Sequence, residues 1–178
     1  MRTLNLQRVD AVDAPAAMHA LANRRPVLRL VVDNTTRAIR AIVADGHELQ
    51  REGYRLLLED QEDVTVTGEA STGEEAVELA RRTRPDVVLI DSRLPGLDAL
   101  EATRRILSQS PRGGVSVLLL SAAESGESVV RALHAGARGL LVRDSEPGEL
   151  LHALRVVARG DALLSPSLTR LLIACCVR

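Results

Sequence analysis

The stretch Arg84-Pro85-Asp86-Val87-Val88-Leu89-Ile90-Asp91 sets a short, uninterrupted apolar run, Val87 to Ile90, directly before an acid. A run of that length and character reads as a strand buried on both faces, the mark of a parallel sheet covered by helices. Outward from it the same rhythm continues from Ala38 onward, short apolar runs alternating with longer amphipathic segments at the spacing of βα units. Towards the N-terminus, Ile39 to Val43 reads as a first strand, followed by Leu49, Gly53, Leu56 and Leu57 at helical spacing. Val64 to Thr67 alternates apolar and polar as an edge strand does, and Thr72 with Glu75 forms a capping box that opens a second helix. Towards the C-terminus, Val115 to Leu120 and Leu140 to Val142 read as two more buried strands. The helices between carry Leu100, Thr103 and Leu107, then Val129, Val130 and Leu133. Asp144, Ser145, Glu146 and Pro147 read as the start of a fifth helix lined by Leu150, Leu151, Leu154, Val157 and Ala158. The chain then runs through Gly160 to Ser165 into a last helical piece, Pro166 to about Cys176.

Composition narrows the functions. With 178 residues, 46% of them hydrophobic, the chain has material for one ordinary core with appendages. A formal net charge of -1 gives no overall basic field to attract nucleic acid or an anionic membrane surface. All 23 residues of the Lys+Arg count are arginine. No apolar run approaches a membrane span, and the adjacent Cys175 and Cys176 suit neither a disulfide framework nor a spaced metal site. A cytoplasmic protein is expected. Residues 1–37 hold one apolar patch, Val27 to Val32, without flanking periodicity: an extra strand, a docking segment or a disordered extension.

In open parallel sheets, chemistry gathers at the carboxyl ends of the strands. Strand one ends in Asp45-Gly46, strand three in Asp91, strand four in Ser121 and strand five in Arg143. Carboxylates can hold Mg²⁺ or act as nucleophiles, and a hydroxyl and a cation can grip phosphoryl oxygens. The set suits phosphoryl transfer. The same residue types also serve strand ends as helix caps and turn formers.

Several stretches together resemble the response-regulator receiver family, most closely its NarL/LuxR-type branch, over about Ala38 to Ile173. They are Ala44-Asp45-Gly46-His47, Arg51-Glu52-Gly53, Gly68-Glu69-Ala70, the stretch from Arg84 to Asp91, Leu94-Pro95-Gly96, Ala135-Gly136-Ala137 and Leu163-Leu164-Ser165-Pro166. The resemblance implies a CheY-like, flavodoxin-like α/β fold: a doubly wound five-stranded parallel sheet of order 2-1-3-4-5 with helices on both faces. It implies Asp91 as phosphoacceptor, taking a phosphoryl group from a sensor histidine kinase or a small acyl phosphate. Asp45, Asp91 and the backbone carbonyl of Arg93 would hold Mg²⁺, and Ser121 would grip the phosphoryl group. Three positions depart from the family pattern. Gly46 stands where a second acid is usual, Arg143 where a lysine is usual, and Leu140 where a switch aromatic is usual. The planar fork of Arg143 can bind Asp91 bidentately and occupy the site, as a compact ammonium would not. Asp45 is then a helix cap, a partner of Arg143 or a weak metal ligand.

The expected organisation is an N-terminal extension at 1–37, a receiver domain at 38–160, and a linker helix at 161–178 leading to a DNA-binding domain outside this sequence. The expected function is not enzymatic. It is signal reception by an atypical response regulator controlling transcription, through a homodimer and independently of phosphorylation, with a small-molecule ligand or a partner protein as the trigger. The alternatives are a stand-alone receiver acting as an interaction or ligand-sensing module, and a conventional receiver phosphorylated at Asp91. An aspartyl phosphatase would need a further general acid and a dedicated metal-site acid, and no G-x-G-x-x-G or P-loop pattern points to nucleotide binding.

Overall fold

In the computed structural model, residues 37–110, 114–121 and 125–176 are described, all within one unit, Thr36–Arg178. The patch at residues 27–32 and the rest of the extension before residue 37 lie outside the described residues. The elements are β1 (Ile39–Ala44), α1 (Glu48–Glu59), β2 (Val64–Ala70), α2 (Gly73–Thr83), β3 (Val87–Asp91) and α3 (Ala99–Ser108). There follow β4 (Ser116–Ser121), α4 (Gly126–His134), β5 (Gly139–Val142), α5 (Pro147–Ala158), β6 (Leu163–Leu164) and α6 (Pro166–Cys176). The strands form one sheet in the order β2-β1-β3-β4-β5-β6, and every pairing is parallel.

The first five strands take the expected order, and the sheet carries a sixth. Two residues are too few to show a periodicity, so β6 is held by backbone geometry instead. Gly139 pairs with Leu163 and Leu140 with Leu164, the Leu163 N–H donates to the Arg138 carbonyl at 3.0 Å, and the Ser165 N–H donates to the Leu140 carbonyl at 3.2 Å. The Arg138 guanidinium donates to the Gly160 carbonyl and fixes the turn that brings the chain back. β2 is longer than its alternating pattern suggests. Register slips between Ala41 and Ile42 of β1, leaving Thr67 as the extra residue of β2, with its hydroxyl donating to the Ala41 carbonyl at 3.2 Å.

β3 lies centrally and all five of its residues are buried, as an apolar run in a two-sided sheet requires. α1 and α5 cover one face, where Leu58, Leu150, Ala153, Leu154 and Val157 meet Val43, Leu89 and Leu141. α2, α3, α4 and α6 cover the other, where Ala76, Ile106, Val129 and Leu168 meet Ile42, Ile90, Leu119 and Leu140. Of the stripe expected on α1, Leu57 packs on the sheet side, but Leu49 is 85% exposed, Leu56 54% exposed and Gly53 exposed, and Tyr54 and Leu58 join Leu57 instead. On α3 and α4, Leu100, Leu107, Val130 and Leu133 are partly buried, and smaller residues such as Ala99, Ala102 and Ala132 are buried beside Ile106 and Val129.

Capping follows the sequence with adjustments. The Thr72 hydroxyl accepts from the Glu75 N–H at 3.2 Å, but the Glu75 carboxylate reaches one residue further back, accepting from the Ser71 N–H and hydroxyl at 2.7 and 2.8 Å. Those bonds, the backbone one first, hold the Glu75 carboxyl below its ordinary value. α5 starts later than Asp144 suggests, with Glu146 as N-cap and Pro147 in the first turn. The Arg155 fork on α5 grips Asp63 in the α1–β2 turn at 2.7 and 2.8 Å, tying two elements across one face.

α6 is packed against the domain. Leu168 is fully buried, and a Cβ at Gly126, the first residue of α4, would lie 2.6 Å from the Leu171 carbonyl and 2.7 Å from Cys175 Cβ. Only glycine admits that approach. Leu168→Ala should lower stability by about 2–5 kcal/mol in urea unfolding, the usual loss for a buried leucine. Ile173→Ala, at a site 55% exposed, should change it by no more than about 0.5 kcal/mol. Equal effects at the two sites would contradict this placement of α6.

Candidate functional site

Three strands deliver the site. β3 ends in Asp91, which is 1% exposed, and β1 ends just before Asp45, also 1% exposed. β5 runs into Arg143, whose backbone N–H donates to the Ser121 carbonyl at 3.1 Å and so keeps it in register with the end of β4. From there the Arg143 side chain crosses to Asp91. Its Nε donates to Oδ2 at 2.6 Å and its Nη2 to Oδ1 at 2.8 Å, a two-bond fork in which the arginine side chain is itself only 10% exposed. Nη2 also lies 3.5 Å from Ser92 Oγ. The bonds donated to Asp91 are the main reason the guanidinium is held above its ordinary pKa, against an opposing contribution from burial.

Asp91 has further partners. The Arg93 N–H donates to Oδ1 at 2.7 Å, and the half-exposed Arg93 guanidinium lies 3.8 Å from the same oxygen. Both carboxylate oxygens are therefore committed. Asp45 is arranged differently. Its Oδ1 accepts from the His47 N–H at 2.7 Å, with His47 Nδ1 at 3.3 Å, and its Oδ2 is buried with no hydrogen-bond partner among the described residues. Asp45 thus braces the loop into α1, where His47 is the N-cap, and Arg143 reaches Asp91 instead.

Two residues that the apolar pattern passed over complete this wall. Arg51 donates to the Asp45 carbonyl at 2.8 Å and pairs with Glu69 at 3.4 Å. Tyr54, the only tyrosine in the chain, has its hydroxyl held above the ordinary range, first by burial and then by the negative charges of Asp45 and Asp91. The pocket-facing side of α1 is polar at this end, so a search for apolar residues selects the opposite stripe. The signal that finds it is the spacing of Arg51, Tyr54 and Leu58.

Ser121 ends β4 partly buried, and among the described residues its hydroxyl makes no hydrogen bond to Asp91. It lines a separate cavity of about 270 Å³ together with Ser92, Asp98, Arg131 and Leu140. Leu140 is 1% exposed and packs in the core on the α4 side of the sheet. The positions read from the sequence thus fall into two groups: Asp45, Asp91, Arg93 and Arg143 around the carboxylates, and Ser121 with Leu140 around the cavity.

A divalent cation does not fit the carboxylate group as it stands. Mg²⁺ requires near-octahedral oxygen donors, commonly one or two carboxylates with the remainder water or phosphate. Here Asp45 Oδ2 remains, while the Asp91 oxygens are engaged by Arg143 and the Arg93 N–H. Position 46 supplies no side chain, and a Cβ there would lie 2.5 Å from Pro95 Cδ, so the β3–α3 loop already fills the space a second acid would use. Among the described residues no three acidic, histidine or cysteine side chains converge to hold a metal ion.

Breaking the pair by Arg143→Met should cost about 3–5 kcal/mol, because it leaves a buried carboxylate unpaired. Arg143→Met combined with Asp91→Leu should recover most of that loss. Urea unfolding of the two variants decides it, and an additive result would mean the charges are not coupled.

Residues 41–155 match the family described as response regulator receiver domain. The nitrate/nitrite response regulator protein NarL of Escherichia coli strain K12 is 41% identical over 133 residues, covering 75% of this chain and 61% of that protein. The uncharacterized transcriptional regulatory protein YxjL of Bacillus subtilis is 39% identical over 125 residues, covering 70% of this chain and 56% of that protein. The chain thus spans about three fifths of the length of these relatives. Among solved structures, a LuxR-family two-component response regulator from Aurantimonas superposes with a TM-score of 0.72 at 33% identity, covering 79% of this chain and 99% of that one. The signal receiver domain of the NarL homologue from Mycobacterium tuberculosis gives 0.64 at 37% identity, covering 69% and 98%.

Proposed function

We propose that this chain, which belongs to the response regulator receiver family, is the signal-receiving part of a NarL/LuxR-type transcription regulator that switches without phosphorylation of Asp91. The observation that carries the reading is the fork of Arg143 on both oxygens of Asp91. An aspartyl nucleophile must bring a free oxygen lone pair in line with phosphorus, and a phosphoryl donor is itself anionic, so attack needs a cation shared between donor and carboxylate. Arg143 spends its charge on the carboxylate alone. Asp45 retains a free oxygen but has no acidic neighbour at Gly46.

In this reading Asp91 and Arg143 are a structural pair, Asp45 braces the loop into α1, and the input is a small molecule or a partner protein in place of a phosphoryl group from a sensor histidine kinase. The output is control of transcription from the cytoplasm. The segment from residue 161 on, which adds β6 to the sheet and packs α6 on the domain, leads toward a DNA-binding domain of the kind that the family's longer members carry, and the chain is a receiver and not an enzyme. Among the described residues no helix is long and apolar enough to cross a membrane. Homodimer formation is supported by the outer stripe of α1, where Leu49 is 85% and Leu56 54% exposed, with exposed Gly53 between them.

Incubation with acetyl phosphate and excess Mg²⁺, followed by intact mass measurement beside Asp91→Asn, tests the central claim. No gain in mass is expected in either protein. One added phosphoryl group in the parent but not in the control would establish a conventional receiver. For the dimer, Leu49→Glu with Leu56→Glu should shift sedimentation toward monomer while leaving the circular dichroism unchanged, and an unshifted distribution would move the interface elsewhere.

A further inference from the structure

We infer that Arg143 is the resident counter-cation of the acidic pocket, occupying the electrostatic role of a divalent ion, so that the folded chain is independent of metal and gains affinity for one only when this guanidinium is removed. The inference deepens the reading above and rests on its assignment of Asp91 and Arg143 as a structural pair.

A carboxylate that is 1% exposed at the end of a fully buried strand needs a cation or a proton beside it. A second carboxylate, Asp45, comes from the neighbouring strand, since β1 and β3 are adjacent in the sheet. Two buried acids side by side would normally favour a divalent ion. This chain meets the demand with arginine three times over: Arg143 by two direct bonds to Asp91, Arg93 at 3.8 Å from Oδ1, and Arg51 on the Asp45 backbone carbonyl. The space that remains has been reduced from the other side. Pro95 sits where a side chain at position 46 would project, and Gly46 is what allows the β3–α3 loop to come that close.

The single oxygen left over is informative. Among the described residues Asp45 Oδ2 is buried and unpartnered while Oδ1 is bonded to the His47 N–H, so the pocket holds an unused acceptor. With Arg143 present, a cation arriving at this oxygen meets a fixed positive charge and at most one free carboxylate oxygen. With Arg143 truncated, Asp91 Oδ2 is freed and Oδ1 keeps only its bond from the Arg93 N–H, so that with Asp45 Oδ2 the pocket offers oxygens from two carboxylates, a donor type that suits Mg²⁺ with water completing the shell. A ligand that binds only the folded state stabilises it by mass action, so metal binding is readable as a rise in Tm without any assay of function.

The experiment is thermal unfolding of the full chain across a MgCl2 series at ionic strength matched with NaCl, for the parent, Arg143→Ala, Arg143→Lys, and Arg143→Ala with Asp45→Asn. Fluorescence of Tyr54, whose ring lies beside the pocket, serves as a second readout. The parent Tm is expected to stay flat. Arg143→Ala should melt lower without metal and recover as Mg²⁺ rises, with a matching change in tyrosine emission. Asp45→Asn should abolish the recovery. If Arg143→Ala does not fold in metal-free buffer, folding on addition of Mg²⁺ supports the inference, while Mg²⁺ insensitivity of both it and Arg143→Lys overturns it. A parent stabilised by Mg²⁺ as strongly as Arg143→Ala also overturns it. That outcome leaves the phosphorylation-independent reading untouched if no phosphoryl mass is gained, whereas a phosphorylated parent with a flat Mg²⁺ response sinks that reading and leaves the counter-cation role standing.

Discussion

A carboxylate buried at the end of the central strand is the constraint around which this pocket is arranged. β3 is covered on both faces, so Asp91 cannot reach bulk water, and a buried ionised carboxylate is tolerated only when it is paired and hydrogen-bonded. The fold answers by bringing the end of β5 across the end of β4. The Arg143 N–H is fixed on the Ser121 carbonyl, and from that anchor the side chain spans to Asp91 in a bidentate geometry that orients as well as neutralises. Lysine in the same place would supply charge from a flexible stem, without the second directed bond. The choice of arginine thus turns a pocket open to an incoming cation into a closed ion pair.

Closing the pair shapes its surroundings. Glycine at position 46 lets the loop carrying Pro95 approach to a distance that any side chain would forbid. Ser92 is drawn within 3.5 Å of the guanidinium, while Ser121 faces the cavity beside Leu140 instead of the carboxylate. The replacement at 143 and the loss at 46 are physically consistent with each other. Each makes the other tolerable: a second buried acid would strain against the closed loop, and an empty acid position would leave a metal underliganded.

Most of the architecture was legible because buried strands announce themselves. The run ending at Asp91, the three other apolar strands and the alternation of β2 all report burial directly, and the Thr72 hydroxyl caps α2 as its spacing indicated. Where the reading failed, side-chain pattern was not what the structure used. α1 turns its polar end toward the pocket, so its leucines at 49 and 56 point outward, and of the expected stripe Leu57 alone packs on the core. β2 outruns its alternation because Thr67 bulges, and β6 is too short to carry a period and exists through main-chain bonds to β5. For the pocket, the positions of Asp45, Asp91, Ser121 and Arg143 at strand ends follow from the sheet alone. The contact between Gly46 and Pro95, and the support from Arg51 and Tyr54, depend on how loops and a helix settle in space, and no local pattern encodes them.

The same strand that carries Arg143 also anchors the C-terminal segment, and this gives the pocket a short physical route to the end of the chain. Leu140 lies three residues before Arg143; its carbonyl accepts from Ser165, and its neighbours in the sheet are Leu119 and Leu164. A leucine in a packed core cannot swing between inner and outer positions as a half-exposed aromatic ring can, so side-chain rotation at 140 is a poor carrier of signal. Backbone pairing is a better one, because moving β5 must move β6 with it or break parallel-sheet bonds. α6 then follows β6 directly, and it is pressed on α4 at Gly126 closely enough that the Leu171 carbonyl would touch any added side-chain atom. A displacement of the β5 end by release of Arg143 would therefore reach α6 through the β5–β6 ladder, which needs no aromatic residue, and would bear on the α4–α6 seam at Gly126.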